Sequence, residues 1–386
     1  MQVNTKYFLS QPHQPFFLLS IVNAVIFMGL FVLGYKGVIV LEFTPLFLHV
    51  YSFIYGVFFL AFSGFLFTTF PRFNQTEVIQ KEYYIRVFFL SLLASILLYM
   101  GVFFGKYIFL AGMFLLLLAE ALMVYKLYMI YTTSRVADKS DSFWILGGNF
   151  FGLFAHILFI VYMFGVDDLF GIALSLSVFM FVLFTAFSIA QRMIPFFSHS
   201  FATKNTRFVP VSFVLFLLVS VSSSMDLHYM NTLLVLILSF VLAKEFLRWK
   251  LDPFASPAIL WVLHLALFWL PAGFLLWGVC NVIEIVSGVD LYFIGYHFVL
   301  LGFLTTVLIG FGTRVILGHS GNVPHADNVS VVLFVLVQVT LLIRALYSFN
   351  VAYGWEMDFL FDIASLCWII LFGVWGLKFG KVLVTR

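Results

Sequence analysis

Apolar stretches long enough to cross a bilayer follow one another from end to end of the chain, and that recurrence leaves few folds open. A run of about 18 or more apolar residues reads as a transmembrane helix, because a hydrocarbon core about 30 Å thick needs roughly 20 helical residues. Twelve such stretches, bounded by charges, Pro, Asn or Gly clusters, occupy 16–35, 45–70, 85–104, 107–131, 143–164, 169–194, 208–225, 230–248, 258–280, 291–317, 329–349 and 355–378. Several exceed 20 residues, which implies tilt or extension past the interface. Charged residues make up 10% of the 386, against roughly 25% in a soluble globular chain, while 63% are hydrophobic and the mean hydropathy is +1.12. A water-soluble enzyme is excluded. The expected fold class is all-α integral membrane, with twelve transmembrane helices in a single polytopic domain over residues 1–386. The N-terminal segment has no small-residue cleavage site after a short apolar core and reads as retained.

The basic residues orient these helices. With the N-terminus cytoplasmic, 17 of the 20 Lys and Arg fall on the inner side, and only Lys36, Lys106 and Arg344 lie towards the outside. The outer loops carry Asp167, Asp168, Asp226, Glu284, Asp290, Glu356 and Asp358 instead. This is the positive-inside pattern, and it places both termini in the cytoplasm. The net charge of +3 is too small to suggest a nucleic-acid partner. Cys280 and Cys367 form no CxxC and give neither a zinc site nor a disulfide framework.

The second, sixth and tenth stretches all run inward and end on an arginine: Arg72, Arg192 and Arg314, spaced by 120 and 122 residues. Four helices per unit would give a pseudo-threefold bundle. The positive-inside rule alone would also leave arginines at inner helix ends.

Polar side chains inside a bilayer are expensive and are functional candidates by default. His49 enters the second stretch and His297 the tenth from the same outer side, so the two are placed to face one another across a haem. His264, His13 and His319 cluster by depth at the inner side, beside Arg192 and Arg314, and suit a second haem or metal. His297 and His319 stand about 33 Å apart along a helix and cannot share one metal. Imidazole ligates haem iron and copper, and haem propionates want Arg partners. The metal-ligating candidates are therefore His49, His264, His297 and His319. His228 and His325 read as solvated loop residues, and His156 reads equally as a helix–helix hydrogen-bonding residue or a ligand. Glu120, near the middle of the fourth stretch, is a candidate proton-relay group or a protonated buried acid. No GxxxxGK[ST], HExxH or GxSxG motif occurs.

The run HFVLLGFLTTVLIGFGTRVILGHSGN, from His297 to Asn322, resembles the NnrS family of haem- and copper-containing bacterial membrane proteins. His297, Arg314, Gly318, His319 and Gly321 match its His…TR-xx-LGHTGR pattern. LHVYSFIYG and SGFLFTTFPRF are similar to a second family segment, which carries over His49, Gly56, Gly64 and Pro71. QPHQPFF, QRMIPFF and HLALFWLPAGF are similar to further segments, so the resemblance spans the chain. Where the family commonly has a second His and a Glu after the first His, this chain has Tyr51 and Ser52; Tyr51 is placed to hydrogen-bond a bound ligand. The closing Arg of the pattern is Asn322 here. The resemblance implies haem b and copper as cofactors, nitric oxide as ligand or substrate, a role in nitrosative-stress resistance, and a bacterial inner-membrane location among lipid. An activity as a nitric oxide-directed haem oxidoreductase, fed by an electron donor of unspecified identity, is consistent with it.

Two other readings compete. Twelve spans with both ends inside is also a secondary-transporter plan, which calls for interrupted helices and mid-bilayer charges in two related halves. A haem-copper oxidase-type subunit calls for two closely spaced histidines on one helix. The closest pair here, His319 and His325, lies six residues apart in a loop.

Overall fold

A computed structural model describes residues 5–252, 255–291, 293–321 and 323–385; Asn322 and Arg386 lie outside them. Its twelve long helices are α1 (His13–Tyr35), α2 (Pro45–Phe73), α3 (Lys81–Phe104), α4 (Lys106–Thr132), α5 (Ser140–Met163), α6 (Leu169–Phe197), α7 (Phe208–Ser224), α8 (His228–Arg248), α9 (Ala258–Ser287), α10 (Ile294–His319), α11 (Asn328–Tyr353) and α12 (Phe359–Val384). Eleven are long and apolar enough to cross a membrane, and α7 is a shorter apolar helix. Among the described residues there are no strands. The chain is an all-helical membrane protein.

The helix ends follow local chemistry. Thr44 accepts from the Phe47 N–H and Pro45, which has no N–H, opens α2, so two of the first turn's donor positions are capped or absent. Asp327 does the same for Ser330 at the start of α11, which stops at Gly354 in the left-handed conformation (φ 64°). Several helices run past the expected ends: α9 continues to Ser287, and α10 takes in His319 as its last residue.

Three helices differ from the rest. In α2, α6 and α10, 94%, 83% and 83% of the apolar window is buried, against 39–56% in the other spans, so these three are interior helices. Each also contains a stretch of π-helix: Ser52–Phe58, Leu176–Leu183 and Phe298–Thr305. Such wide turns are rare and are found frequently at functional sites. Neighbouring side chains take up the backbone carbonyls they loosen. Ser20 and Asn23 of α1 donate to the Val57 and Gly56 carbonyls at 2.9 and 2.7 Å, and Thr305 donates back to the Leu300 carbonyl at 2.9 Å.

The three stretches start 124 and 122 residues apart, a second recurrence at one third of the chain. Their register corrects the arginine alignment. Counted from the π starts, Arg192 and Arg314 are equivalent, and the matching residue in α2 is Thr68, one turn before Arg72. The inward arginines are thus a repeat at two positions and a positive-inside residue at the third.

The chain divides into two compact units. One comprises residues 1–177, 315–322 and 372–386; the other comprises 178–314 and 323–371. Polar side chains tie helices together within each. In the first, Asn23 bonds Ser95 at 3.0 Å and accepts from Tyr99, clamping α1 to α3. In the second, the Trp269 indole donates to Gln338 at 2.6 Å, and Gln338 donates to Thr306 at 3.0 Å, joining α9, α11 and α10.

Candidate functional site

His13 and His319 come together in the first unit. The first residue of α1 and the last of α10 bring their ring centroids to 5.1 Å with planes inclined by 50°. His13 is 3% exposed and His319 half-buried. The Nδ1–H of His319 donates to the Val315 carbonyl at 3.0 Å, a bond that fixes the tautomer with its lone pair on Nε2. That Nε2 and the Nδ1 of His13 are both buried with no hydrogen-bond partner. Arg72, at the exposed end of α2, is near enough to act electrostatically on both rings.

His49, in the first unit, stacks on Phe31 with centroids 4.4 Å apart and contacts Phe53 at 4.5 Å. His297 belongs to the second unit and immediately precedes the π turns of α10. Its Nδ1–H donates to the Phe293 carbonyl at 2.9 Å, which again leaves the lone pair on Nε2. Phe293 itself has φ 59°, a left-handed conformation that an aromatic residue adopts at a cost.

His264, also in the second unit, lines a cavity of about 520 Å³ with Ser198, Ser256, Trp249, Arg248 and Lys250. Its Nε2 is hydrogen-bonded to the Ser198 hydroxyl at 2.6 Å. Arg248 is paired with Glu245 and donates to the Thr203 carbonyl at 2.7 Å, so its charge is already balanced. Arg314 lies over the Phe197 ring at 4.0 Å in a cation–π contact, and Arg192 sits half-buried one turn before Pro195 on α6. Among the described residues no three His, Cys, Asp or Glu gather to hold a metal ion. His199, His228 and His325 are exposed.

A grouping that sequence reading left as three separate residues joins Tyr51 of α2, His156 of α5 and Glu120 of α4. The Tyr51 hydroxyl meets His156 Nε2 at 2.7 Å, and His156 Nδ1 meets Glu120 Oε2 at 2.7 Å. The three are 0%, 0% and 1% exposed. Tyr55, one turn after Tyr51, stacks on the imidazole at 4.0 Å and donates its own hydroxyl to the Gly152 carbonyl at 3.0 Å. Phe47, Phe109 and Phe159 close around Tyr51. A signal was present in the sequence: His156 shares one face of α5 with Asn149, Gly152 and Phe159, all at helical spacing.

His13, His49, Tyr51, His264, His297 and His319 sit on segments whose residues matched the family pattern; Glu120 and His156 do not. A family model described as NnrS protein matches residues 7–386, nearly the whole chain. The chain belongs to the NnrS family. Comparison with curated proteins returns no match. NnrS membership fits a nitric oxide-related role, and the match takes in both His13 and His319.

The two imidazoles can be tested against the metals the family implies. Two nitrogens bound to one ion at about 2 Å each stand no more than about 4 Å apart. Rings with centroids 5.1 Å apart, each with a buried nitrogen that has no hydrogen-bond partner, suit a single ion such as copper, a metal that imidazole ligates well. They are too close to sandwich a porphyrin. A haem fits better on an imidazole whose far nitrogen is anchored, and His297 has that form.

Proposed function

We propose that this protein is a haem- and copper-binding protein of the bacterial inner membrane, with both termini cytoplasmic, that binds or turns over nitric oxide in resistance to nitrosative stress. The observation that carries the reading is the His13–His319 pair: two buried imidazoles with ring nitrogens left without partners, on family-matched segments of α1 and α10. In this reading the pair holds copper, and His49 and His297 are axial-ligand candidates for haem b. Arg314 and Arg192 are candidate propionate partners, and His264 is a ligand candidate within its own cavity. The 17-to-3 split of Lys and Arg supports the orientation.

Bound haem would supply an iron that takes up nitric oxide where one coordination position stays open. The chain's own residues would orient the ligating nitrogens through the Val315 and Phe293 carbonyls. The purified protein should show a Soret band, a positive pyridine haemochrome assay and copper by metal analysis. Nitric oxide should shift the visible spectrum. Absence of both haem and copper from protein purified out of a haem-replete, copper-replete host would overturn the reading.

A further inference from the structure

We propose that the cavity in front of His264 binds the head group of an anionic phospholipid, with its phosphodiester at Lys250 and its acyl chains lying over Phe196, Phe201 and Leu247. The inference goes beyond haem and copper and does not depend on them.

Three segments of the second unit make the enclosure. The end of α6 with the loop after it, the end of α8 and the first turns of α9 surround about 520 Å³. That is room for ten or more waters at about 30 Å³ each, and it lies within the range of about 300–1,000 Å³ of small-molecule sites. Ser200 donates to the Trp249 carbonyl at 2.9 Å and Arg248 to the Thr203 carbonyl at 2.7 Å. The loop after α6 is thus fastened to the end of α8 at two points, and a preformed enclosure loses little freedom on being filled.

The order of chemistry from floor to rim is that of a lipid, head inward. On the floor His264, 1% exposed, is bonded to Ser198, with Ser256 beside its other nitrogen. At the mouth Arg248 and Lys250 are exposed. Outside them come large apolar side chains: Phe201 on the wall is 98% exposed, and the exposed Phe196 and Leu247 directly precede the lining residues Phe197 and Arg248. A pocket for an apolar ligand has the reverse order.

The charge selects an anion. Glu245 takes hydrogen bonds from Arg248, Trp249 and Asn205 and balances the guanidinium, whereas Lys250 makes no ion pair among the described residues. Asp252 also lines the cavity and opposes an anion, but its Oδ1 accepts from the Ala255 N–H at 3.0 Å. Around the mouth Arg192, Lys204, Arg207, Lys244, Arg248 and Lys250 stand against Glu245 and Asp252. The carbonyl ends of α6 and α8 repel an anion and the N-terminal end of α9 attracts one, so the cations decide the sign. His199 and Lys250 follow α6 and α8 with φ 51° and 53°, helix-end positions where glycine is the easier residue, and both side chains line the cavity. The positive-inside rule accounts for cations at this end of the helices. It does not account for a cavity with a buried imidazole behind them, and basic pockets between membrane helices take phospholipid head groups.

Native mass spectrometry of the full-length protein in mild detergent, with phosphatidylglycerol titrated in, tests the proposal. One phosphatidylglycerol should be held more tightly than the rest, and Lys250→Gln should weaken it about fivefold, the worth of one lysine at a lipid surface. Lys81→Gln, exposed at the start of α3 in the first unit, should leave it unchanged. An equal loss in both variants is diffuse surface attraction and overturns the proposal. Phosphatidylethanolamine held equally well removes the charge selection and overturns it, and so does sn-glycerol 3-phosphate held equally well, which makes the site one for soluble phosphate esters. No retained lipid leaves water in the cavity and also overturns it. Ser256→Phe places a ring inside the cavity; unchanged retention in a folded Ser256→Phe protein would put the lipid elsewhere. Haem and copper, assayed on the same samples, should not change in Lys250→Gln, and their loss together with the lipid would make this a cofactor site. Protein free of both that still holds phosphatidylglycerol would retire the proposed function and leave the lipid site standing.

Discussion

Two histidines of the first unit, His319 and His156, are used in opposite ways. His319 has one nitrogen anchored to a carbonyl and the other without a partner, and the centroid of the His13 ring, whose Nδ1 also has no partner, lies 5.1 Å away. His156 has both nitrogens consumed by neighbours on two other helices. An imidazole with one fixed N–H and one open lone pair is prepared for a metal. One that is bonded at both ends is prepared to lock a packing arrangement. The chemistry of a buried histidine is thus decided by what its second nitrogen meets.

The largest expected effect separates the two sites by metal content. His319→Ala or His13→Ala should lower copper affinity at least about tenfold, since loss of even an outer-shell partner of a ligand costs that much. His156→Gln should leave copper unchanged. Metal analysis of the three purified variants checks this, and equal copper in all three would dissolve the distinction.

Stability should order the sites the other way. Replacing His156 by Leu strands the Tyr51 hydroxyl and the Glu120 carboxyl in an aromatic enclosure, at about 1–3 kcal/mol for each unsatisfied group. Replacing His13 by Phe removes a ring nitrogen that had no partner, so metal-free protein should change by less than about 1 kcal/mol. Denaturant unfolding of metal-free protein measures both. A larger loss at His13 than at His156 would mean the pair near Arg72 is a structural contact.

Much of the fold was legible because bilayer thickness fixes helix length. All twelve apolar stretches appear as helices, and α2 begins at Pro45 and α6 at Leu169 where the sequence puts them. Periodicity carries no information about the π turns, since Phe298–Thr305 is apolar on every side and one extra residue per turn leaves no gap in a uniformly hydrophobic run. The same applies to the site. That His13 and His319 are polar groups at helix ends could be read from spacing; that they meet each other could not, because they are 306 residues apart and their distance depends on how α1 packs against the end of α10. Depth along a helix says nothing about rotation around it. For that reason Glu120, His156 and Tyr51 looked like three unrelated residues until α4, α5 and α2 were packed together.

A packing change should reach one site and spare the other. Gly64 lets α1 lie close to α2: a Cβ there would stand 2.9 Å from the Phe17 ring and 3.0 Å from the Phe16 Cβ. Phe17 is one turn from His13, with ring centroids 6.0 Å apart. Gly64→Ala should cost about 1–3 kcal/mol by overpacking and loosen copper a few-fold by displacing the start of α1. The infrared stretch of the Glu120 carboxyl should not move, since among the described residues no ring contact joins Phe16 or Phe17 to Tyr51 or His156. A shifted stretch would show that the two sites are mechanically coupled.

The smallest effect carries a sign that tells the ligands apart. Arg72 acts electrostatically on both His13 and His319, and it is solvent-exposed, so water and salt screen it. If the pair binds a metal cation directly, the guanidinium opposes it, and Arg72→Gln should tighten copper by about threefold at low salt. If the site instead receives a haem, the guanidinium is a propionate partner and its loss weakens binding. The 5.1 Å separation of the rings favours the ion, so the expected outcome is a gain that fades as ionic strength rises. Competition with a copper chelator at two salt concentrations reads it out. A loss of haem with no change in copper would move the porphyrin to this end of the chain and leave the imidazole pair to be explained as its contact, against the spacing of the rings.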